Sequence, residues 1–265
     1  MHVTLANHAH VFPEEVRSWG TIEKLLELME QCQIEKAVAF APFPAQVPGQ
    51  DPNSWLSKAL EGREELIGFG VIDFSRANLA DQVKQAKDYG FLGLKLHPAY
   101  QGFELLGQSA RIVYKWAEEL GLFLSFHTGV HHAPLKQARL MDFDEIAYDY
   151  PNLKFSMEHV GGYHFFPEAL AVICNHNHQD HCNIYAGMTS VFNKTTHPMW
   201  YLDPCRIEEI VLQAGEDRLV FGLDFPYNQT PEIKEALRII ADLPLTDTAK
   251  EKLLGGNLKA VLGLS

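Results

Sequence analysis

The sequence has few cysteines, a deficit of positive charge and no long apolar run. Its 4 cysteines are spread over 265 residues, which excludes a dense disulfide framework and makes reduced thiols the expectation. Lysine and arginine total 22 against 34 aspartates and glutamates, and the formal net charge of -12 would repel a nucleic-acid backbone. No segment approaches the roughly 18 apolar residues of a membrane span, and the N-terminus lacks a signal-peptide pattern. We therefore expect a cytoplasmic protein that binds neither nucleic acid nor a membrane.

Short strand-like runs alternate with amphipathic helical stretches from one end of the chain to the other. Apolar residues recur with helical spacing in 22–29 and again in 233–240, where Thr230 and Pro231 favour a helix start. The strand-like runs occupy residues 3–10, 36–42, 66–74, 93–98, 122–129, 153–160, 184–190 and 218–226. The hydrophobic fraction of 46% is close to the globular average, so these elements can bury a common core.

Eight strand–helix units over this length predict an α/β fold, a (β/α)8 TIM barrel that forms a single domain over residues 1–265. An open doubly wound sheet often carries a Gly-rich phosphate turn after its first strand, and no such turn follows here. No linker or internal repeat divides the chain. The tail is predicted to form two closing helices that are broken at Gly255 and Gly256.

Six ionisable residues stand where predicted strands end. In a TIM barrel the catalytic groups lie at the C-terminal ends of the strands, here called the rim. The residues are His8 and His10 on strand one, His97 on strand four, His127 on strand five, His159 on strand six and Asp224 on strand eight. We expect all six to share one rim.

Residues two apart on a strand point to the same side, so His8 and His10 are predicted to point together into the barrel. The same alternation places Ala6 inside with them and turns Leu5 toward the helices.

On strands five and eight the alternation places His127 and Asp224 inside the barrel, with apolar neighbours outside. On strand six, an inward His159 implies that Ser156 and Glu158 face the helices. That polar outer face is left unexplained by the sequence.

The histidines and the carboxylate suggest a metal centre. A single His-x-His pair is more often two hydrogen-bonded histidines than a pair of ligands. Two imidazoles on one strand, a third across the barrel and a carboxylate together provide three nitrogens and one oxygen. This set suits one Zn²⁺ per chain, or Mn²⁺ in its place, with room for water.

Five segments together resemble a known family. They are NHAHVF (7–12), GLKLHP (93–98), FHTG (126–129), EHVGG (158–162) and GLDFP (222–226). With them the chain resembles, over its whole length, the amidohydrolase superfamily. The similar branch is amidohydrolase-2, which includes aminocarboxymuconate-semialdehyde decarboxylase and pyrone-dicarboxylate lactonase.

The resemblance implies roles for the rim residues. His8, His10, His127 and Asp224 would be the metal ligands, Asp224 would also transfer a proton, and His159 would be the unliganded acid/base. The implied activity is hydrolysis of a small ester, lactone or amide through a metal-activated water. The alternatives are non-oxidative decarboxylation of an unsaturated or aromatic acid, which the short chain disfavours, and a catalytically silent metal or metabolite binder.

Lys95 and His97 are the candidate substrate-binding residues. Lys95 has two further interpretations, since it either pairs with an acidic neighbour in the barrel or becomes carboxylated and bridges two metals. The loops after strands also carry candidates for the pocket: Arg17, His131, His132, Arg139, Tyr163, His164, His197, Trp200 and Tyr227. The substrate is expected to be a small molecule, and a homo-oligomer stays an open alternative.

The segment CNHNHQDHC (174–182) has a composition that suggests zinc. It connects helix six to strand seven, so it belongs to the face opposite the rim, and its residues lack the usual paired-cysteine spacing. We predict a solvated loop without a metal.

Overall fold

Eight parallel strands close into a barrel in chain order, which confirms the predicted (β/α)8 fold. The architecture is that of a computed structural model, which describes residues 2–137, 139–177 and 183–264. The strands are β1 (Ala6–His10), β2 (Ala37–Phe40), β3 (Leu66–Gly70), β4 (Gly93–Leu96), β5 (Phe123–His127), β6 (Phe155–Glu158), β7 (Ile184–Thr189) and β8 (Leu219–Phe225). Strands β1, β4, β5, β6 and β8 end at or next to the predicted rim residues.

Helices follow the strands and cover the outside of the barrel. They are α1 (Ile22–Cys32), α2 (Pro52–Ala59), α3 (Leu79–Asp88), α4 (Pro98–Gln101), α5 (Gln108–Glu119), α6 (Asp142–Asp149), α7 (Gly162–Asn175), α8 (Pro204–Ala214), α9 (Thr230–Asp242), α10 (Asp247–Glu251) and α11 (Asn257–Leu262). Helix α9 begins at the predicted Thr230. A turn with Gly255 in a positive-φ conformation separates α10 from α11, as the tail predicts. None of the helices within the described ranges is long and apolar enough to span a bilayer.

Local sequence signals explain where the helices begin and which face they bury. Thr21 precedes α1, and its side-chain oxygen accepts a hydrogen bond from the backbone nitrogen of Lys24 at 3.3 Å. Such a cap satisfies one of the free amides of the first turn. The buried side of the helix carries Leu25 and Leu28, which pack on the barrel.

The core has two layers, one between helices and barrel and one inside the barrel. On β2, Ala37 and Ala39 belong to the outer layer, whereas Val38 and Phe40 belong to the inner one. The inner layer, called the apolar plug below, contains Leu5, Val38, Phe40, Phe69, Phe123, Tyr185 and Val220, with Leu258 of α11 packed against it. The plug fills the lower part of the barrel and leaves the polar residues at the rim end.

The predicted facing of Leu5 and Ala6 is wrong, because β1 contains a bulge. The pairing of β1 with β2 shifts register between Ala6 and Ala9, and His8 has a φ of 69°. A bulge inserts an extra residue and reverses the alternation beyond it. Leu5 therefore belongs to the plug and Ala6 to the outer layer, while His8 and His10 still face the interior.

The polar outer face predicted for β6 is also wrong. Phe155 and Met157 pack in the outer layer, and Ser156 and Glu158 face the interior. His159 lies just beyond the strand with a φ of 67°. This left-handed turn directs two consecutive side chains, Glu158 and His159, into the barrel.

The described part of the segment, residues 174–177, lies at the end of α7, on the face opposite the rim. His176 is buried there, and its Nε2 is 2.9 Å from an Oδ1 of Asp144. His178 and His181 lie outside the described residues. The described part of the segment thus uses its histidine for packing and an ion pair.

Candidate active site

A cavity of about 310 Å³ opens at the rim. Its lining includes every rim residue predicted from the sequence, together with the buried lysine: His8, His10, Lys95, His97, His127, His159 and Asp224. Five of the loop candidates line it as well, namely Arg17, His131, His197, Trp200 and Tyr227. His132, Arg139, Tyr163 and His164 are not among the lining residues, and the guanidinium of Arg139 pairs with Asp142 at 3.3 Å.

His8, His10 and Asp224 form a compact group of potential metal ligands. One ligand atom from each lies within 4.8 Å of the others, and all three residues are buried. Burial lowers the pKa of His8 and of His10 well below the ordinary value, so both imidazoles are neutral and keep a lone pair. Burial alone would raise the pKa of Asp224, but its interactions with His8, His159 and Lys95 and a hydrogen bond from Ser190 outweigh burial and lower that pKa. Two neutral imidazoles and a carboxylate fit a divalent cation.

The surroundings of His8 fix its tautomer. Its Nε2 is 3.3 Å from the Lys95 ammonium and 3.5 Å from Asp224 Oδ1. An ammonium group can only donate, so Nε2 holds the lone pair and Nδ1 holds the hydrogen. The Nδ1 atom lies 3.1 Å from Glu158 Oε2. A carboxylate behind a histidine is the usual arrangement that orients a metal-binding imidazole.

Glu158 is the functional residue that sequence reasoning missed. Its fully buried carboxylate accepts hydrogen bonds from Asn7 (2.8 Å), Ser125 (3.2 Å), Thr189 (2.6 Å) and Ser156. The neighbouring strand makes room for it at Gly187, where a Cβ would collide with the Glu158 carboxylate. The sequence contained a signal for this position, because the alternating residues Ser156 and Glu158 of β6 are both polar. Their position inside the barrel explains that pattern.

Lys95 is completely buried between two carboxylates. Burial lowers the pKa of its amine to about 8, and the negative charges of Glu158 and Asp224 act in the opposite direction. Its ammonium lies 3.3 Å from His8 Nε2 and makes no ion pair within 4 Å among the described residues, so its predicted roles stay predictions.

His159 is held so that one ring nitrogen faces the cavity. Its Nδ1 lies 2.7 Å from the carbonyl oxygen of Thr189, which can only accept, so Nδ1 carries the hydrogen. Burial lowers the pKa of His159, and its ring stacks on Trp200 at 5.1 Å. In the neutral ring Nε2 is therefore a free base, as proton exchange requires. His159 is outside the group of three ligand atoms.

His127 and His97 stack face to face, with ring centroids 3.9 Å apart and an angle of 7° between planes. Within the described residues, the compact ligand group does not include His127, so its role as fourth ligand stays a prediction. The backbone amide of Tyr100 donates to His97 Nδ1 at 3.3 Å, and the hydrogen of the neutral ring is therefore on Nε2. The Nε2 atoms of both rings are buried and have no hydrogen-bond partner.

A cation stands at the mouth of the cavity. The Arg17 guanidinium donates to the Tyr227 hydroxyl at 2.9 Å and lies 4.1 Å from the centre of the Phe12 ring. These contacts hold the side chain beside the opening. Together, Arg17, Lys95 and His97 give the cavity a set of hydrogen-bond donors around a carboxylate and two imidazoles that could bind a metal.

Solved structures of other proteins have the same fold. A Staphylococcus aureus protein assigned to the amidohydrolases is 18% identical, with 100% of both chains covered and a TM-score of 0.74. A dihydroxybenzoic acid decarboxylase from Polaromonas, solved with manganese and the inhibitor 2-nitroresorcinol, is 14% identical, with 99% of this chain and 97% of that chain covered and a TM-score of 0.72. A Pseudomonas putida protein described as a 2-pyrone-4,6-dicarboxylic acid hydrolase is 17% identical, with 99% of this chain and 98% of that chain covered and a TM-score of 0.73. At these identities the likeness shows the fold.

Curated protein sequences give no match to this chain. The family comparison is positive, because the family described as amidohydrolase (Amidohydro_2) matches residues 8–264. That range includes all the ligands, the proton-transfer candidates and the closing helices described above. The chain therefore belongs to the amidohydrolase family, in its amidohydrolase-2 branch.

Proposed function

We propose that the protein is a metal-dependent hydrolase that cleaves a small ester, lactone or amide. The observation that carries the proposal is the buried group of His8, His10 and Asp224 at the bottom of an open cavity, with the His159 base beside it. These residues come from the C-terminal ends of β1, β6 and β8, where this fold holds its catalytic groups.

One divalent ion per chain fits the site, and we propose Zn²⁺ or Mn²⁺. His8, His10 and Asp224 would hold it, and His127 is the proposed fourth ligand, since its Nε2 is buried without a partner. When bound, such an ion polarises a carbonyl oxygen and brings the pKa of its water to about 7. Manganese is an alternative to zinc because a similar solved decarboxylase contains it.

The chain's own residues would then move the proton. Asp224 Oδ2 accepts a hydrogen bond from Ser190 at 2.5 Å, so Oδ1 is the oxygen left to take a proton and pass it to the leaving group. His159 Nε2 would first take a proton and would then, as an N–H, donate a hydrogen bond or that proton to the substrate oxygen as negative charge develops there. The stacked Trp200 ring restricts water around His159.

Lys95 and His97 are the proposed substrate-binding residues. The fixed Nε2–H of His97 is a buried donor without an acceptor, so an oxygen of the substrate would satisfy it. Lys95 lies 3.3 Å from His8 and contributes a second donor close to the reacting group. Both donors favour a substrate with several oxygen acceptors.

Non-oxidative decarboxylation of an unsaturated or aromatic acid is the second candidate. Structures similar to this chain include the decarboxylase with 2-nitroresorcinol and the pyrone-dicarboxylic acid hydrolase, at nearly equal TM-scores of 0.72 and 0.73. The match covers 97% of that decarboxylase chain, so the short length does not disfavour decarboxylation as expected from the sequence.

The test offers zinc-loaded and manganese-loaded protein a panel of lactones, esters, amides and hydroxybenzoates. Hydrolysis releases acid without gas, and decarboxylation releases carbon dioxide; we expect acid release. His159→Asn should lower turnover by about 10²- to 10⁴-fold, whereas substitution of the exposed His164 by Asn should not. Carbon dioxide release would replace the proposal by the second candidate. Stoichiometric metal without turnover on any substrate would indicate the silent binder.

A further inference from the structure

A buried chain of hydrogen bonds leads from the loop after β7 to the metal-facing carboxylate. Ser190 Oγ lies 2.5 Å from Asp224 Oδ2, and Asn228 Nδ2 lies 3.0 Å from Ser190 Oγ. The Oδ1 atom of Asn228 is in turn 2.6 Å from His197 Nε2. All four residues are buried. Ser190 contacts Asp224 directly, whereas Asn228 and His197 lie behind it and have no role in the reaction described above.

The donor and acceptor groups of these residues allow one direction of donation along the chain of hydrogen bonds, from His197 to Asp224. Asn228 Nδ2 also lies 2.8 Å from the carbonyl oxygen of Leu223, so that end of the amide is the donor. Its Oδ1 therefore accepts, and His197 Nε2 must carry a hydrogen. Ser190 Oγ accepts from Asn228, which leaves its single hydrogen for Asp224. Every donor and acceptor along the path is satisfied in this order.

The two residues joined by the hydrogen bond between Ser190 and Asp224 both have an uncommon backbone conformation. Ser190 has a φ of 56° and Asp224 a φ of 54°. Non-glycine residues rarely adopt this left-handed region, and the cost is accepted mainly at functional sites. The two turns bring the side chains of β7 and β8 together.

We infer that Ser190, Asn228 and His197 are positioning residues that select the Asp224 oxygen facing the metal. Because Oδ2 accepts from Ser190, the carboxylate cannot rotate freely, and Oδ1 remains directed to within 3.5 Å of His8 Nε2. This inference rests on the proposed function, since it concerns the same metal site. Loss of partners behind a ligand typically weakens metal binding about 10- to 100-fold.

The first test measures the Kd of the metal-free protein for Zn²⁺ and Mn²⁺ by competition with a chromophoric chelator. Ser190→Ala removes the hydroxyl without adding a new backbone constraint, and we expect metal binding to weaken by about 10- to 100-fold. Ser75→Ala is the matched control, because Ser75 donates a comparable bond of 2.6 Å to Asp73 in an exposed loop and does not line the cavity. Circular dichroism and the thermal midpoint establish that each variant is folded.

A second pair of variants separates the hydrogen bond from general packing. His197→Gln retains an N–H donor for Asn228, and His197→Phe retains a ring but no donor. We expect His197→Phe to bind the metal more weakly than the wild type does. His197→Gln should bind it with a Kd close to that of the wild type. In metal-saturated protein with a substrate in hand, Ser190→Ala should lower kcat and leave KM unchanged.

The possible outcomes distinguish this inference from the proposed function. If the wild-type protein binds neither metal, the proposed function is wrong and the inference falls with it. If the wild type binds metal and folded Ser190→Ala binds it with the same Kd, the proposed function stands and the inference is overturned. Equal Kd values for His197→Phe and His197→Gln would show that the His197 donor does not help to position Asp224.

Discussion

Replacement of Glu158 by glutamine should destabilise the barrel even though the shape of the side chain is kept. The carboxylate is fully buried and accepts from four side chains, of which the Asn7 amide at 2.8 Å and the Thr189 hydroxyl at 2.6 Å bind opposite oxygens. It is also one of two negative charges acting on the Lys95 ammonium. The substitution removes the charge and converts one accepting oxygen into a donor.

The size of the effect follows from these contacts. A hydrogen bond to a charged group contributes about 1.5–3 kcal/mol and a neutral one about 0.5–1.5 kcal/mol, so each of the donors loses on the order of 1 kcal/mol. The neutral amide regains part of this loss because it costs less to bury. We expect the free energy of unfolding to fall by about 3 kcal/mol, at the lower end of the range for breaking a buried ion pair.

Urea denaturation of the metal-free protein, followed by tryptophan fluorescence, measures the change. Glu168→Gln is the matched control on the exposed side of α7, where a change within about 0.5 kcal/mol is expected. Adding Lys95→Met to Glu158→Gln should recover part of the stability, because the unpaired ammonium is then gone. A loss below 0.5 kcal/mol in Glu158→Gln would refute the reasoning and show that the charge does not hold this part of the barrel together.

Three further predictions concern metal and turnover. Elemental analysis should find about one zinc or manganese per chain, and His10→Ala or Asp224→Asn should abolish stoichiometric binding; two tightly held metals with Lys95 carboxylated would contradict the single site. His159→Asn should keep the metal and lower kcat/KM by about 10²- to 10⁴-fold, and loss of its metal would make His159 a ligand. Replacing His176 should leave metal content and turnover unchanged. Loss of its contact with Asp144 should lower the free energy of unfolding by about 1 kcal/mol, measured by urea denaturation, whereas loss of a metal equivalent would reveal a second site.

The fold and the rim could be predicted because both depend on features that are visible in the sequence. These are the periodicity of apolar residues and the position of ionisable residues at the ends of strands. Alternating strand and helix patterns predict the barrel, and the end of each strand marks the rim, so His8, His10, His159 and Asp224 are found together in one cavity. These signals are local and repeat along the chain.

The facing of side chains near the rim could not be predicted, because the backbone departs from regular strand geometry there. Positive φ values at His8 and His159 break the alternation that the sequence pattern assumes. Strict alternation therefore turned Glu158 toward the helices, although its polar neighbour Ser156 pointed to an interior network.

The partners of Asp224 were also out of reach of sequence reasoning. Ser190 and Asn228 are 38 residues apart, and no spacing rule connects them. They meet because two loops leave adjacent strands, which only the closed barrel brings together.

The apolar plug has a kinetic consequence. Within the described residues, Phe40 and its neighbours fill the barrel beneath the imidazoles, and α11 packs below them through Leu258. Arg17 and Tyr227 line the cavity above the imidazoles, and the plug leaves no space beneath them. In the proposed hydrolase, substrate would then have to reach His8 from the rim side, and product would have to leave from that side as well. A product still bound there would therefore compete with the next substrate molecule.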